Sequence, residues 1–98
     1  MLEFSPKQSF EEYYVVFNFS RVITPLTTIL STLVTVYDES DVEVTDILTD
    51  STKLSVLGSK VYVWVRGGSE QIYKITCKIY MSNNERFEQD AELQVQEV

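Results

Sequence analysis

The sequence contains no histidine and only one cysteine, Cys77. Without histidine, the chain lacks the most frequent general base near neutral pH and a common metal ligand. One cysteine cannot form an internal disulfide or a thiolate metal site, so packing must stabilise the fold, as suits a reducing cytosol. Cys77 alternates with apolar residues, which favours an inert core thiol over a disulfide between chains. We therefore predict that the protein is not an enzyme and uses no cofactor or metal.

Positive charge, glycine and long apolar runs are also scarce. Eight Lys and Arg against fifteen Asp and Glu give a net charge of −7, which argues against binding to nucleic acid or to anionic membranes. No apolar run approaches 18 residues, and the N-terminus shows no signal peptide. The three glycines are typical of turns, not of a phosphate-binding loop.

What remains is a chain of 98 residues that is 44% hydrophobic and 12% aromatic, enough for one folded domain spanning residues 1–98. Short stretches with alternating apolar residues are separated by polar turns. This spacing predicts an all-β, immunoglobulin-like antiparallel β-sandwich of about seven strands. The predicted strands are 12–19, 27–37, 42–48, 53–57, 60–66, 71–80 and 86–95.

The predicted strand 60–66 is apolar on both faces, which is typical of a strand covered on both sides. Three valines alternate with Tyr62 and Trp64, and the turn Gly67-Gly68 follows. Either the aromatic side chains form the core face, or they form an interface with another molecule. Beyond the turn, Tyr73 is either a tyrosine corner that hydrogen-bonds to the preceding loop or one more core aromatic.

Candidate binding residues fall into three groups. Tyr62, Trp64 and Arg66 are of the types enriched at binding hot spots. The second group lies on the first predicted strand, where outward apolar side chains favour strand addition by a partner. The third is an extended N-terminal arm at residues 1–10, for which a disordered terminus is the alternative. The interface candidates are Phe4, Pro6, Phe10, Tyr14, Val16, Tyr62, Trp64 and Arg66.

Acidic residues concentrate between Asp38 and Asp50, and no Lys or Arg occurs between Arg21 and Lys53. A solvated face is the simplest interpretation of this acidic window. A weak Ca²⁺ site is an alternative because oxygen ligands suit that ion, although the spacing is not that of an EF-hand. Docking of a basic partner is the third interpretation.

Three segments resemble a known family. They are FSPKQSFEEYYVVFNFS near the N-terminus, the hairpin VYVWVRGGSEQIYKITCKI, and the final ERFEQDAELQV. Together they resemble small structural proteins of tailed bacteriophages, of the fibre–tail adaptor type with an immunoglobulin-like fold. The segment 69–72 departs from the pattern because a more glycine-rich turn is usual there.

The resemblance implies a virion connector that joins tail or baseplate components to fibres through protein–protein contacts. We predict a homo-oligomeric ring, located in the tail region of the virion after synthesis in the bacterial cytoplasm, with other virion proteins as partners. The alternatives are a ligand- or carbohydrate-binding immunoglobulin-like module, and a neck, head–tail joining or capsid decoration protein.

Overall fold

The chain forms seven strands in the computed structural model, which describes residues 2–98; six lie in predicted segments, and the seventh is a short strand near the N-terminus. They make two packed sheets, ordered β1-β7-β6-β3 and β2-β5-β4. The prediction of a seven-stranded β-sandwich is therefore confirmed. The strands are β1 Leu2–Glu3, β2 Tyr13–Asn18, β3 Ile29–Tyr37, β4 Ser55–Leu57, β5 Lys60–Val65, β6 Gln71–Met81 and β7 Arg86–Val95.

The core lies between the sheets because every second residue of the central strands points inward. Val61, Val63 and Val65 of β5 are fully or almost fully buried. They face the equivalent row of β6, where Ile75 and Cys77 are fully buried. Burial raises the pKa of the Cys77 thiol to about 12, as befits an inert core group.

The strand order corresponds to the immunoglobulin arrangement, in which the second, fifth and fourth strands face the third, sixth and seventh. Tyr73, at the start of β6, forms the predicted corner. Its hydroxyl accepts a hydrogen bond of 2.9 Å from the Ser69 backbone N–H, four residues upstream. The tyrosine-corner interpretation is therefore confirmed, although the ring is also buried in the core.

The prediction of a strand at residues 42–48 is wrong. A helical turn, α1 Thr45–Leu48, occupies most of this segment, and a 3-10 turn follows at Ser51–Lys53. Within this segment Leu48 is fully buried and Val44 is partly buried, while Val42 and Ile47 remain exposed, so burial does not alternate as it would in a strand. The Thr45 hydroxyl accepts a hydrogen bond from the Val36 backbone N–H, so this segment caps one end of β3 instead of forming another strand.

The N-terminal segment pairs with its own domain. Leu2–Glu3 runs parallel to Ala91–Glu92 of β7, an exception to the predicted antiparallel pairing. Further hydrogen bonds join Phe4 and Lys7 to β7 and to the residue after it. The arm predicted for residues 1–10 is therefore extended, but residues 2–7 bind their own sheet; Met1 lies outside the described residues.

Lys7 anchors this segment from inside the protein. Its side chain is fully buried, and its ammonium donates hydrogen bonds to three backbone carbonyls, including that of Gly67 at 2.7 Å. Burial lowers the pKa of Lys7, and nearby glutamates partly offset this effect. The lysine thus ties the N-terminal segment to the β5–β6 turn.

A candidate protein–protein interface

The outer faces of the two sheets differ in chemistry. On the four-stranded sheet, the outward rows of β6 and β7 are mostly charged. Lys78 lies 3.9 Å from Glu88, and Thr76 donates a hydrogen bond of 2.7 Å to Asp90. Charged pairs of this kind are compatible with water, so these two rows need no further cover. Leu33 of β3, opposite Lys78, is an apolar exception that is 48% exposed on the same face.

The outer face of the three-stranded sheet is mainly aromatic and aliphatic. The strand register places Tyr14 opposite Trp64 and Val16 opposite Tyr62. Directly opposed residues of antiparallel strands share a face, so these four side chains form one continuous surface. Leu57, opposite Lys60, extends it and is 64% exposed. We call this surface the aromatic face: Tyr14, Val16, Leu57, Tyr62 and Trp64.

Contacts within the aromatic face hold its rings in place. The Tyr14 ring meets the Trp64 ring edge-on, with centroids 5.0 Å apart, and meets Tyr62 edge-on at 6.0 Å. The Tyr14 hydroxyl donates a hydrogen bond of 2.8 Å to the Lys53 carbonyl. Lys53 also places its ammonium 4.1 Å from the Trp64 ring centroid. An ordered aromatic surface loses little side-chain entropy when another molecule covers it.

The interpretation of Tyr62 and Trp64 as the core face of β5 is wrong. The valines of this strand pack against the other sheet, so alternation directs both aromatic side chains outward. Both are half-buried by their neighbours on the same sheet. Trp64 also donates a hydrogen bond of 3.1 Å from Nε1 to Glu12. The indole thus presents a partly exposed ring whose polar atom already has a partner.

Arg66 lies beyond the end of β5 and is held by the acidic window. Its guanidinium lies 3.7 Å from the Asp50 carboxylate and donates a hydrogen bond of 2.7 Å to the Asp46 carbonyl. Hydrogen bonds from Thr52, and then the charge of Arg66, lower the pKa of Asp50. Arg66 therefore follows Trp64 closely in the sequence, but its side chain holds the segment 46–50 in place and does not join the aromatic face.

The three N-terminal candidates do not join the aromatic face. Phe4 packs edge-on against Phe17 of the core, with ring centroids 5.4 Å apart. Pro6 is exposed beside β7. Phe10 is 94% exposed in the loop before β2. The sequence thus identified eight candidates, of which the fold brings together Tyr14, Val16, Tyr62 and Trp64.

Many carboxylates of the acidic window bond to the protein's own backbone. Asp38 accepts hydrogen bonds from the N–H groups of Ser40 and Val42. Glu39 accepts one of 2.7 Å from the Ile72 N–H. Within residues 2–98, no cluster of three His, Cys, Asp or Glu side chains is arranged to hold a metal ion. The calcium interpretation therefore gains no geometric support.

Sequence reasoning missed Leu57 and Lys53 as parts of this surface. The signal for Leu57 was present, because Gly58-Ser59 is a two-residue turn that sets Leu57 opposite Lys60. No sequence signal indicated Lys53, because its ammonium reaches the Trp64 ring only through the 3-10 turn Ser51–Lys53.

Comparison with known proteins relates the chain to a family. The family model described as podophage GP4 fiber-tail adaptor protein gp77 matches residues 7–94. No curated protein sequence matches the chain. In the part of the chain that the structure describes, no helix is long and apolar enough to cross a membrane. Because the family model covers most of the chain, this protein belongs to the podophage fibre–tail adaptor family of virion structural proteins.

Proposed function

We propose that the protein joins tail and fibre components of the virion by docking the aromatic face onto a neighbouring subunit. The observation that carries this proposal is the contrast between the sheets: the outward rows of β6 and β7 are mostly charged, and the three-stranded sheet presents ordered aromatic rings. Tyrosine and tryptophan are enriched at the centres of protein interfaces. The family of adaptors supports a connector over a carbohydrate-binding module.

We also propose that the copies form a ring. A closed ring needs two different patches on each subunit, so that the same contact repeats around the axis. The aromatic face supplies one patch. The exposed N-terminal loop with Phe10 is a candidate for the second, because it lies outside that face and leaves an aromatic ring in solvent.

The chain offers a matched pair of substitutions to test the aromatic face. Tyr62 and Tyr80 are both half-buried tyrosines on outer sheet faces. Tyr62 contacts Tyr14, whereas the Tyr80 ring centroid lies 5.3 Å from the guanidinium carbon of Arg86. We expect Tyr62→Ala to weaken assembly by about 2 kcal/mol or more, roughly 30-fold, as for an interface hot spot. Tyr80→Ala should leave assembly within about 0.5 kcal/mol of the unchanged protein, the range of ordinary surface substitutions.

Assembly is measured by analytical ultracentrifugation of the purified chain and by incorporation into phage particles, with circular dichroism as the check on folding. Equal behaviour of the two variants would contradict the proposal. Loss of folding in Tyr62→Ala alone would show that the tyrosine acts within the domain, and would likewise contradict it.

A further inference from the structure

The strand β3 has an open edge. It is the last strand of its sheet, pairing with β6 on one side only. At its C-terminal end, the outer edge is capped, because the Val36 N–H and carbonyl bond to Thr45 and Val44. Backbone groups of alternate residues point the same way, so those of Thr32 and Val34 also face outward. No strand of residues 2–98 pairs with this edge.

A cleft lies beside this open edge. It forms because β4 begins only at Ser55, opposite Tyr62, while the preceding residues form the 3-10 turn and do not pair with Val63. The cleft has a volume of about 170 Å³, close to the roughly 150 Å³ of an apolar cavity that holds benzene. It is mostly apolar and has room for one side chain. Its wall includes Trp64 of the aromatic face together with Thr32, Val34, Asp50, Leu54 and Val63.

The charge around the edge selects the kind of occupant. The acidic window follows β3 directly, and no lysine or arginine occurs between Arg21 and Lys53. Three cations lie near this region: Arg66 is paired with Asp50, Lys53 lies over Trp64 at the wall of the cleft, and Lys78 lies near Glu88. The six acidic residues between Asp38 and Asp50 outnumber them. In an edge-to-edge pair, each copy would meet the same acidic edge of the other, so local repulsion disfavours a second copy at this edge. A basic segment would meet complementary charge.

We propose that the open edge of β3 and the adjacent cleft bind an extended, basic segment of another virion protein. The segment adds a strand to the sheet through the backbone groups of Thr32 and Val34 and inserts one apolar side chain into the cleft. This inference rests on the proposed role as a connector, to which it adds a second, chemically distinct docking surface. A connector needs such a surface because it contacts at least two different components.

The test uses the full chain labelled with ¹⁵N and two heptapeptide probes, one alternating lysine with valine and the other alternating glutamate with valine. We expect the lysine peptide to cause saturable amide shifts around the cleft and to slow exchange of the Thr32 and Val34 amides by about tenfold or more, as new hydrogen bonds form. The glutamate peptide should bind at least about tenfold more weakly because of like charge.

Substitutions at Thr32 supply the controls. Thr32→Pro removes the outward N–H, which an edge strand tolerates, and should abolish peptide binding. If circular dichroism shows that this variant is unfolded, Thr32→Lys keeps the backbone and should reduce the preference for the lysine peptide. The Tyr62→Ala variant should bind the lysine peptide with unchanged affinity, because Tyr62 does not line the cleft. The peptide test can therefore fail while the test of the aromatic face succeeds, and the reverse.

Three outcomes would overturn the proposal. The first is the absence of saturable shifts with the lysine peptide, and the second is equal binding of both peptides. The third is self-association that Thr32→Pro abolishes, which would identify a second copy as the occupant.

Discussion

At the scale of single residues, Cys77 shows how the fold sets chemical behaviour. Burial raises the pKa of its thiol from 9.0 to about 12, because the interior disfavours the thiolate. In the unfolded chain the thiol ionises near pH 9, while in the folded protein it stays protonated. The unfolded state therefore binds fewer protons between these values, and the free energy of unfolding falls as pH rises.

We expect the protein to lose about 1.4 kcal/mol of stability per pH unit through Cys77 between pH 9 and about 12. Other groups also titrate in this range, so the measurement is the difference between the unchanged protein and Cys77→Val in urea unfolding. Their difference in stability should be constant below pH 9 and should shift in favour of the variant above it. A difference independent of pH would show that the thiol is not protected by burial.

At the scale of elements, the β5–β6 turn depends on one glycine more than on the others. Gly68 has a φ of +99°, and a Cβ built there would lie 3.0 Å from a Val95 methyl carbon and 3.2 Å from one of Leu48. Gly58, in the β4–β5 turn, also has positive φ, but nothing lies within 4 Å of its added Cβ. Both glycines therefore have positive φ, but Gly68 lies further from the left-handed helical region and is also crowded.

We expect Gly58→Ala to cost about 1–2 kcal/mol, the cost of left-handed backbone for a residue with a Cβ. Gly68→Ala should cost about 1–3 kcal/mol more, because the added methyl overpacks the core beneath the turn. Urea unfolding of the two variants measures the difference. Equal losses would mean that Val95 and Leu48 move aside without cost.

At the scale of the whole molecule, apolar attraction and charge repulsion oppose each other. Every copy carries a net charge of −7, so like-charge repulsion works against a ring, while the aromatic face favours it. Salt shortens the range of the repulsion from about 10 Å at 0.1 M to about 3 Å at 1 M and leaves burial of apolar surface intact.

We therefore expect the mass measured by light scattering to exceed that of a single chain and to be maintained or increased by raising salt from about 0.1 M to about 1 M. Tyr62→Ala should remain closer to a single chain at both concentrations. A complex that dissociates in high salt would indicate an ionic contact, which would contradict assembly through the aromatic face.

The sequence by itself determined the class of the fold and most strand positions, because alternation and turn residues are local signals. Tyr73 at its corner and the inward row of β6 followed from spacing alone. The same signals failed at 42–48, where valines and isoleucine fit more than one local structure and contact with β3 selected a helical turn.

The tertiary structure decided which face of β5 became core, since both faces are apolar and only the position of the opposing sheet distinguishes them. It also decided the burial of Lys7, whose ammonium donates to the carbonyls of the adjacent Gln8 and of the distant Gly67, a combination that no local pattern predicts. The open edge of β3 and its cleft are likewise properties of strand order. Strand order depends on contacts between residues far apart in the chain, so it became visible only in the folded protein.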